Sequence, residues 1–193
     1  MIRRLAAGLS LAVTGLTVFV LYGPGDAGPA PRPAVAASVA APTGADVHYA
    51  QMMVAHHEQA VRMSRTLLAK GAVPERIRLI AEFIAQDQQR EIDQTNAWLT
   101  AWGRPTVAPS ASAGEHGMLT EAQLGDLDRA DTRTAPAVFL RLMIEHHQGA
   151  IVMSRSLLDG AAGNAHIRSL AKHVINEQTS ENEAMSALLP MVS

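Results

Sequence analysis

The chain has 193 residues, enough for one domain with a sizeable core plus terminal extensions. Its formal net charge is -2, without a long basic run, which excludes a nucleic-acid interface built on phosphate neutralisation. Cysteine is absent, which excludes disulfides, thiolate metal sites and thiol catalysis. Aromatic residues make up only 4%, and the apolar residues recur at helical spacing, which predicts an all-α fold.

Residues 1–22 have the pattern of a signal peptide or an N-terminal membrane anchor. Arg3 and Arg4 precede an almost unbroken apolar run that ends at Tyr22. By the positive-inside rule, arginines on the cytoplasmic side direct the rest of the chain outward. We therefore expect an extracytoplasmic protein, which is secreted, periplasmic or at the cell surface, with the membrane as a partner if the segment is uncleaved. Residues 23–42, rich in Pro and Ala, are predicted to be a disordered tether.

Capping and stop signals divide residues 43–193 into helices. Thr43 with Asp46 resembles a capping box, and Gly71 is placed to end the helix that follows. Thr120 with Gln123 predicts the start of a short helix, and Asn164 predicts the start of the last long one. The helices are expected at about 43–70, 74–102, 120–130, 135–159 and 164–189.

One motif, Met-x-x-His-His-x-x-Ala-x-x-Met-Ser, begins at Met53 and again at Met143, 90 residues later. Aligning residues 49–102 with 139–192 requires no gap and gives 17 identical pairs of 54. This indicates a duplicated helical hairpin, with repeat 1 at about 46–103, a linker at about 104–133 and repeat 2 at about 134–190. Two hairpins that bury their apolar faces together predict a ferritin-like four-helix bundle over residues 43–193.

Adjacent histidines flanked by methionines are candidate metal ligands. Helical geometry directs the first histidine of each pair into the core with the methionines, and its neighbour to the edge of that stripe. Imidazole and thioether ligands favour a copper ion, Cu(I) especially, over hard ions and over zinc, and no organic cofactor is predicted. The predicted ligands are Met53, His56, His57, Met63, Met143, His146, His147 and Met153. His116 and Met118, in the linker, are candidate additional ligands.

Polar residues also interrupt the apolar stripes of the partner helices, as Gln88 and Glu91 in repeat 1 and Gln178 and Glu181 in repeat 2. A buried carboxylate without a partner costs several kcal/mol, so we expect each glutamate to pair with a histidine of the facing helix. Such a carboxylate would orient the imidazole rather than bind the metal. Asp87 and Glu177 are expected to be solvated, as are His48, His166 and His173.

Two alternative functions stay open. A ferritin-like metal oxidase, with His and Glu as ligands, would consume oxygen with Fe(II) or Cu(I). A non-metal structural or interaction bundle would use its glutamates only to hydrogen-bond histidines, and copper would not stabilise it. The sequence contains no His-Glu-x-x-His, di-iron Glu-x-x-His or serine-nucleophile motif, so we expect no enzymatic activity. The sequence also leaves open whether the protein forms a homo-oligomer.

The doubled motif, with Gln88-x-x-Glu91 and Gln178-x-x-Glu181 behind it, resembles the bacterial DUF305 family over roughly residues 46–190. The resemblance implies a ferritin-like bundle that is exported or membrane-anchored. Some family members are linked to copper binding and copper resistance through Met and His, which would place those roles on the eight predicted ligands. The linker is poorer in Met and His than in many relatives, which implies one or two ions rather than many.

Overall fold

The computed structural model describes residues 40–106, 117–160 and 163–192. These residues form five α-helices and no strand, which confirms the all-α prediction for the described part of the chain. The helices are α1 (Gly44–Ala69), α2 (Glu75–Ala101), α3 (Glu121–Arg129), α4 (Ala135–Asp159) and α5 (Ala165–Leu188), and a 3-10 helix, Leu189–Met191, follows.

The predicted export segment, residues 1–22, lies outside the described residues, as do residues 23–39 of the predicted tether and His116. Among the helices that are described, none is both long enough and apolar enough to cross a membrane.

Helices α1 and α5 begin at caps that share one carboxylate. Asp46 Oδ2 accepts hydrogen bonds from the backbone nitrogen and hydroxyl of Thr43, each at 2.7 Å, which completes the predicted capping box. The same oxygen accepts from the backbone nitrogen of Asn164 at 3.3 Å. Asn164 caps α5 by accepting from the backbone nitrogens of His166 and Ile167. Caps of this kind each contribute about 1 kcal/mol, and here they also join the two hairpins.

The chain between the hairpins re-enters the described structure close to the middle of α1 and α4. The amide side chain of Gln59 accepts from the Leu119 backbone nitrogen at 2.7 Å and donates to the Leu119 carbonyl at 2.9 Å. Gly117 has a φ of +81°, and a Cβ there would lie 2.4 Å from the Cα of Gly149, so this crossing requires glycine. Helix α3 then begins at the predicted capping box of Thr120 and Gln123.

The two hairpins, α1–α2 and α4–α5, pack mainly through α1 against α4. These two helices run antiparallel, because Tyr49 near the start of α1 hydrogen-bonds Ser154 near the end of α4 at 2.8 Å. His56 and His146, which are equivalent in the two repeats, meet near the middle. The duplication thus produces a local pseudo-two-fold axis that passes between these two imidazoles.

The core of the described residues has two large apolar clusters, with polar residues of all four long helices between them, and a small third cluster of Val54, Val61 and Ile92. Each large cluster takes one end of every long helix, as the pseudo-two-fold symmetry requires. One is built mainly of Ala60, Met63, Leu67, Ile77, Ala81, Ile84, Phe139, Leu140, Met143, Met185 and Leu188. The other is built of Tyr49, Ala50, Met52, Met53, Leu99, Ala150, Met153, Leu157, Ile167, Ala171 and Val174. Leu124 and Leu127 of α3 extend the first cluster.

Candidate metal centre

Four histidines occupy the region between the apolar clusters. The rings of His56 and His146 approach to 3.6 Å between centroids, with 34° between their planes. His57 and His147, expected at the edge of the apolar stripe, are instead as deeply buried, with at most 1% of their surface exposed. Their burial at the edge of the stripe follows because α2 and α5 cover the sides of α1 and α4 on which they lie.

Each of these outer histidines is hydrogen-bonded to a glutamate of its own hairpin. His57 Nε2 lies 2.5 Å from Glu91 Oε2, and His147 Nε2 lies 2.7 Å from Glu181 Oε2. The expected pairing of glutamate with histidine is therefore present in both repeats. Burial raises the pKa of Glu91, but the hydrogen bond from His57 and the nearby positive charges outweigh it, so the net shift is downward.

These hydrogen bonds determine which imidazole nitrogens remain for another ligand. With Nε2 engaged by glutamate, Nδ1 is the other nitrogen of His57 and of His147, and it is buried without a hydrogen-bond partner in the described structure. The side-chain oxygens of Gln88 and Gln178 are likewise buried without a hydrogen-bond partner in the described structure. Buried polar atoms are normally satisfied, so this group of atoms fits a bound ion better than a plain apolar core.

The electrostatics of the centre favour neutral imidazoles. Burial, followed by the charges of His56, His147 and His57, lowers the pKa of His146 well below its ordinary value. A histidine must be neutral to bind a metal, and this environment keeps His146 neutral at physiological pH.

The predicted methionine ligands are buried and divide into two pairs. Met63 and Met143 belong to one apolar cluster, and Met53 and Met153 belong to the other, so each pair takes one residue from each repeat. Met53 lies one helical turn before His56, as Met143 does before His146. Met63 and Met153 lie seven residues beyond those histidines, roughly 10 Å along the helix axis. The structure therefore brings Met53 and Met143 nearest to the central imidazoles.

Among the linker candidates, Met118 is half-buried, next to Leu119, whose backbone is hydrogen-bonded by the Gln59 side chain. The predicted surface positions of His48, His166 and His173 are confirmed, since all three are exposed.

Asp87 and Glu177, which were expected to be solvated, are partly buried. Their side chains keep only 13% and 20% of their surface, because α2 and α5 face each other there. With Glu91 and His173 they form a cluster of ligand atoms within 4.8 Å of one another. The sequence contained a signal for this cluster, which is the i,i+4 spacing of Asp87 with Glu91 and of His173 with Glu177. The two pairs lie on α2 and α5, which are equivalent helices of the two repeats.

Comparison with known families agrees with this architecture. The sequence model of DUF305, a domain of unknown function, matches residues 46–189, most of the described part of the chain. The protein belongs to the DUF305 family. Among curated protein sequences, none matches this DUF305 chain significantly.

Solved structures of similar proteins include two DUF305 members. The Deinococcus radiodurans fragment is 30% identical, with a TM-score of 0.72, and the match covers 79% of this chain and 99% of the fragment. A Streptomyces coelicolor DUF305 protein, thought to be secreted, is 31% identical, with a TM-score of 0.70, over 76% of this chain and 93% of its own. CopM in its Cu(I)-bound form is 28% identical, with a TM-score of 0.60, over 74% of this chain and 93% of CopM.

Proposed function

We propose that this DUF305 protein binds copper outside the cytoplasm, for buffering, delivery or tolerance. The observation that carries the proposal is the contact of His56 with His146, buried at the pseudo-two-fold axis between two pairs of methionines. The centre offers thioether sulfur and neutral imidazole nitrogen, which together suit Cu(I) and Ag(I). Bound copper is cargo in this proposal, and the protein performs no redox step on it.

The symmetry of the centre leads us to propose one or two ions. Each half of the centre contains one central imidazole with a methionine one turn before it, His56 with Met53 or His146 with Met143. The remaining proposed ligands are His57, His147, Met63 and Met153. The pseudo-two-fold axis between the contacting rings allows either one ion shared by the two halves or one ion in each half.

In this proposal Glu91 and Glu181 position imidazoles rather than bind copper. Each accepts a hydrogen bond from Nε2 and so holds the ring with Nδ1 available. A carboxylate behind a metal-binding histidine also raises the basicity of the ring, which strengthens the bond to the ion. Gln88 and Gln178, whose side-chain oxygens are buried near these pairs, would complete the polar surroundings.

Two finer points of the architecture belong to the same proposal. We infer that α1, α2, α4 and α5 form a ferritin-like four-helix bundle, which is supported by four long helices in two repeated hairpins. An extracytoplasmic location is supported by the export-like residues 1–22 and by the similarity to a DUF305 protein thought to be secreted. The similarity to CopM, solved with Cu(I), Cu(II) and Ag, supports copper as the ion.

The test is a competition titration of the purified protein with Cu(I) against a chelator of known affinity. The His56→Ala/His146→Ala variant should lose most of the binding. The matched control is His48→Ala/His166→Ala, which removes two exposed imidazoles and should bind as the wild type does. Equal binding by all three proteins would contradict the proposal.

A structural bundle without metal is the second candidate, and the His57–Glu91 and His147–Glu181 hydrogen bonds favour it specifically. Thermal unfolding separates the two functions. A ligand at 100 times its Kd stabilises the folded protein by about 2.7 kcal/mol, so Ag(I) should raise the Tm of a metal-binding protein by several degrees. A Tm that Ag(I) leaves unchanged would favour the structural role.

A further inference from the structure

A second group of potential ligands lies where α2 and α5 face each other, on the outer side of the His57–Glu91 pair. Asp87 and Glu91 come from α2, and His173 and Glu177 come from α5, each pair one turn apart. One ligand atom from each residue lies within 4.8 Å of all the others. Asp87, Glu91 and His173 also line an open cavity of about 260 Å³, so an ion from solvent has access to them.

The distances around His173 are those of neighbouring ligands on one ion. Its Nε2 lies 3.0 Å from Glu91 Oε1 and 3.0 Å from Glu177 Oε2. Ligands at about 2.0–2.2 Å from Zn²⁺ lie roughly 3.3–3.6 Å apart in a tetrahedral shell and roughly 2.8–3.1 Å apart in an octahedral one, and the two distances of His173 fall in the octahedral range. A ring nitrogen carries at most one proton, so it gives a full hydrogen bond to only one of the two carboxylates. A divalent cation would satisfy both.

The cluster carries an excess of negative charge. Burial, then the carboxylates of Glu181 and Glu91, raises the pKa of Glu177 to about 7. Arg90 pairs with Asp87, but its side chain is 61% exposed and water screens its charge. A cation bound among these carboxylates would relieve their mutual repulsion.

We propose that Asp87, Glu91, His173 and Glu177 bind a divalent transition-metal ion of borderline hardness, such as Zn²⁺ or Cu²⁺. One imidazole with three carboxylates suits this class, and the absence of a thioether from the four residues makes the site a poor one for Ag(I). The site is chemically distinct from the methionine and histidine centre and does not depend on copper binding there. Glu91 contacts both sites, because its Oε2 is hydrogen-bonded to His57 and its Oε1 pairs with His173.

The duplication explains why the described residues contain one such cluster rather than two, and it provides a test of the proposal. In the repeat alignment Asp87 corresponds to Glu177 and Glu91 to Glu181, but His173 corresponds to Phe83. The symmetry-related position therefore has its carboxylates without an imidazole. Phe83 is 51% exposed, so histidine fits there without disturbing the core. Exchanging the two residues should move the site to the other side of the axis.

The experiment is calorimetric titration of the full-length protein with Zn²⁺. We expect His173→Phe and Glu177→Gln each to weaken binding at least about tenfold, since a lost ligand costs more than a lost supporting residue. The exchange His173→Phe/Phe83→His should restore binding. His166→Phe is the matched control, because this exposed imidazole lines the same cavity outside the cluster, and it should leave the affinity unchanged.

Stabilisation by Ag(I), measured by Tm on the same proteins, reports on the methionine and histidine centre independently. We expect His173→Phe to retain it, which shows that the variant is folded. Unchanged Zn²⁺ affinity in His173→Phe, or an equal loss in His166→Phe, would overturn the proposal. Loss of Zn²⁺ binding in His173→Phe, with the Tm of the metal-free variant unchanged, would support it even if the copper proposal fails in its own titration.

Discussion

Replacing Glu181 with Gln tests whether the buried glutamates position histidines for a metal. The substitution keeps the shape of the side chain and leaves an oxygen that can accept from His147 Nε2, now at 2.7 Å from the carboxylate. A hydrogen bond to a charged group contributes about 1.5–3 kcal/mol, against about 0.5–1.5 kcal/mol for a neutral one. The side chain of Glu181 is only 11% exposed, so solvent replaces little of the difference. We expect the metal-free variant to lose about 1–1.5 kcal/mol of unfolding free energy.

Copper affinity should respond more strongly than stability. Removing a carboxylate behind a metal-binding imidazole typically costs 10–100-fold in affinity, which is about 1.4–2.8 kcal/mol. The assay is Cu(I) competition against a chelator, with urea unfolding of the metal-free protein alongside. Glu183→Gln is the matched control, since it removes the same charge from an exposed position of α5. If Glu181→Gln loses stability but binds Cu(I) as Glu183→Gln does, the glutamate has only an architectural role.

Two further predictions concern the metal-free protein. Tyr49→Phe should cost about 1–2 kcal/mol of unfolding free energy, measured by chemical unfolding, because it leaves the buried Ser154 hydroxyl unpaired. Phe139→Tyr should instead stabilise the protein, because it gives the same bond to the Ser64 hydroxyl, which is buried without a partner in the described structure. Equal effects of the two changes would refute this. The pKa of Glu177 is raised to about 7 in the folded state. Between the pKa of this group in the unfolded chain and pH 7, the folded protein therefore binds more protons than the unfolded protein. The free energy of unfolding should fall as pH rises through that window. Glu177→Gln should flatten the slope, and an unchanged slope in urea titrations across that window would contradict the prediction.

Local chemistry made the helix boundaries predictable. The caps at Thr43, Thr120 and Asn164 use side chains within three residues of the backbone groups they satisfy, so the sequence contains both partners. The alignment of the repeats likewise predicted that a glutamate would face a histidine in each hairpin. Within the described residues these expectations are confirmed, because they depend on one helix or on one hairpin.

Side chains that meet across hairpins were not predictable in the same way. The contact of His56 with His146 depends on the register of α1 against α4, which the periodicity of a single helix does not contain. His173 was predicted to be a surface residue because the other repeat has no histidine at the equivalent position, and only the packing of α2 against α5 places it against Glu91. The unequal pairing of Tyr49 and Phe139 shows that the two repeats have diverged even inside the shared core.

The measurement that most directly tests the central claim is anomalous diffraction at the copper edge from crystals of the Cu(I)-loaded protein. The proposed centre predicts a peak between α1 and α4, within coordination distance of an imidazole of His56 or His146 and of the sulfur of Met53 or Met143. A second peak at the symmetry-related position would be consistent with two ions. Copper found only on the protein surface, with these histidines and methionines making no contact to it, would contradict the proposed function.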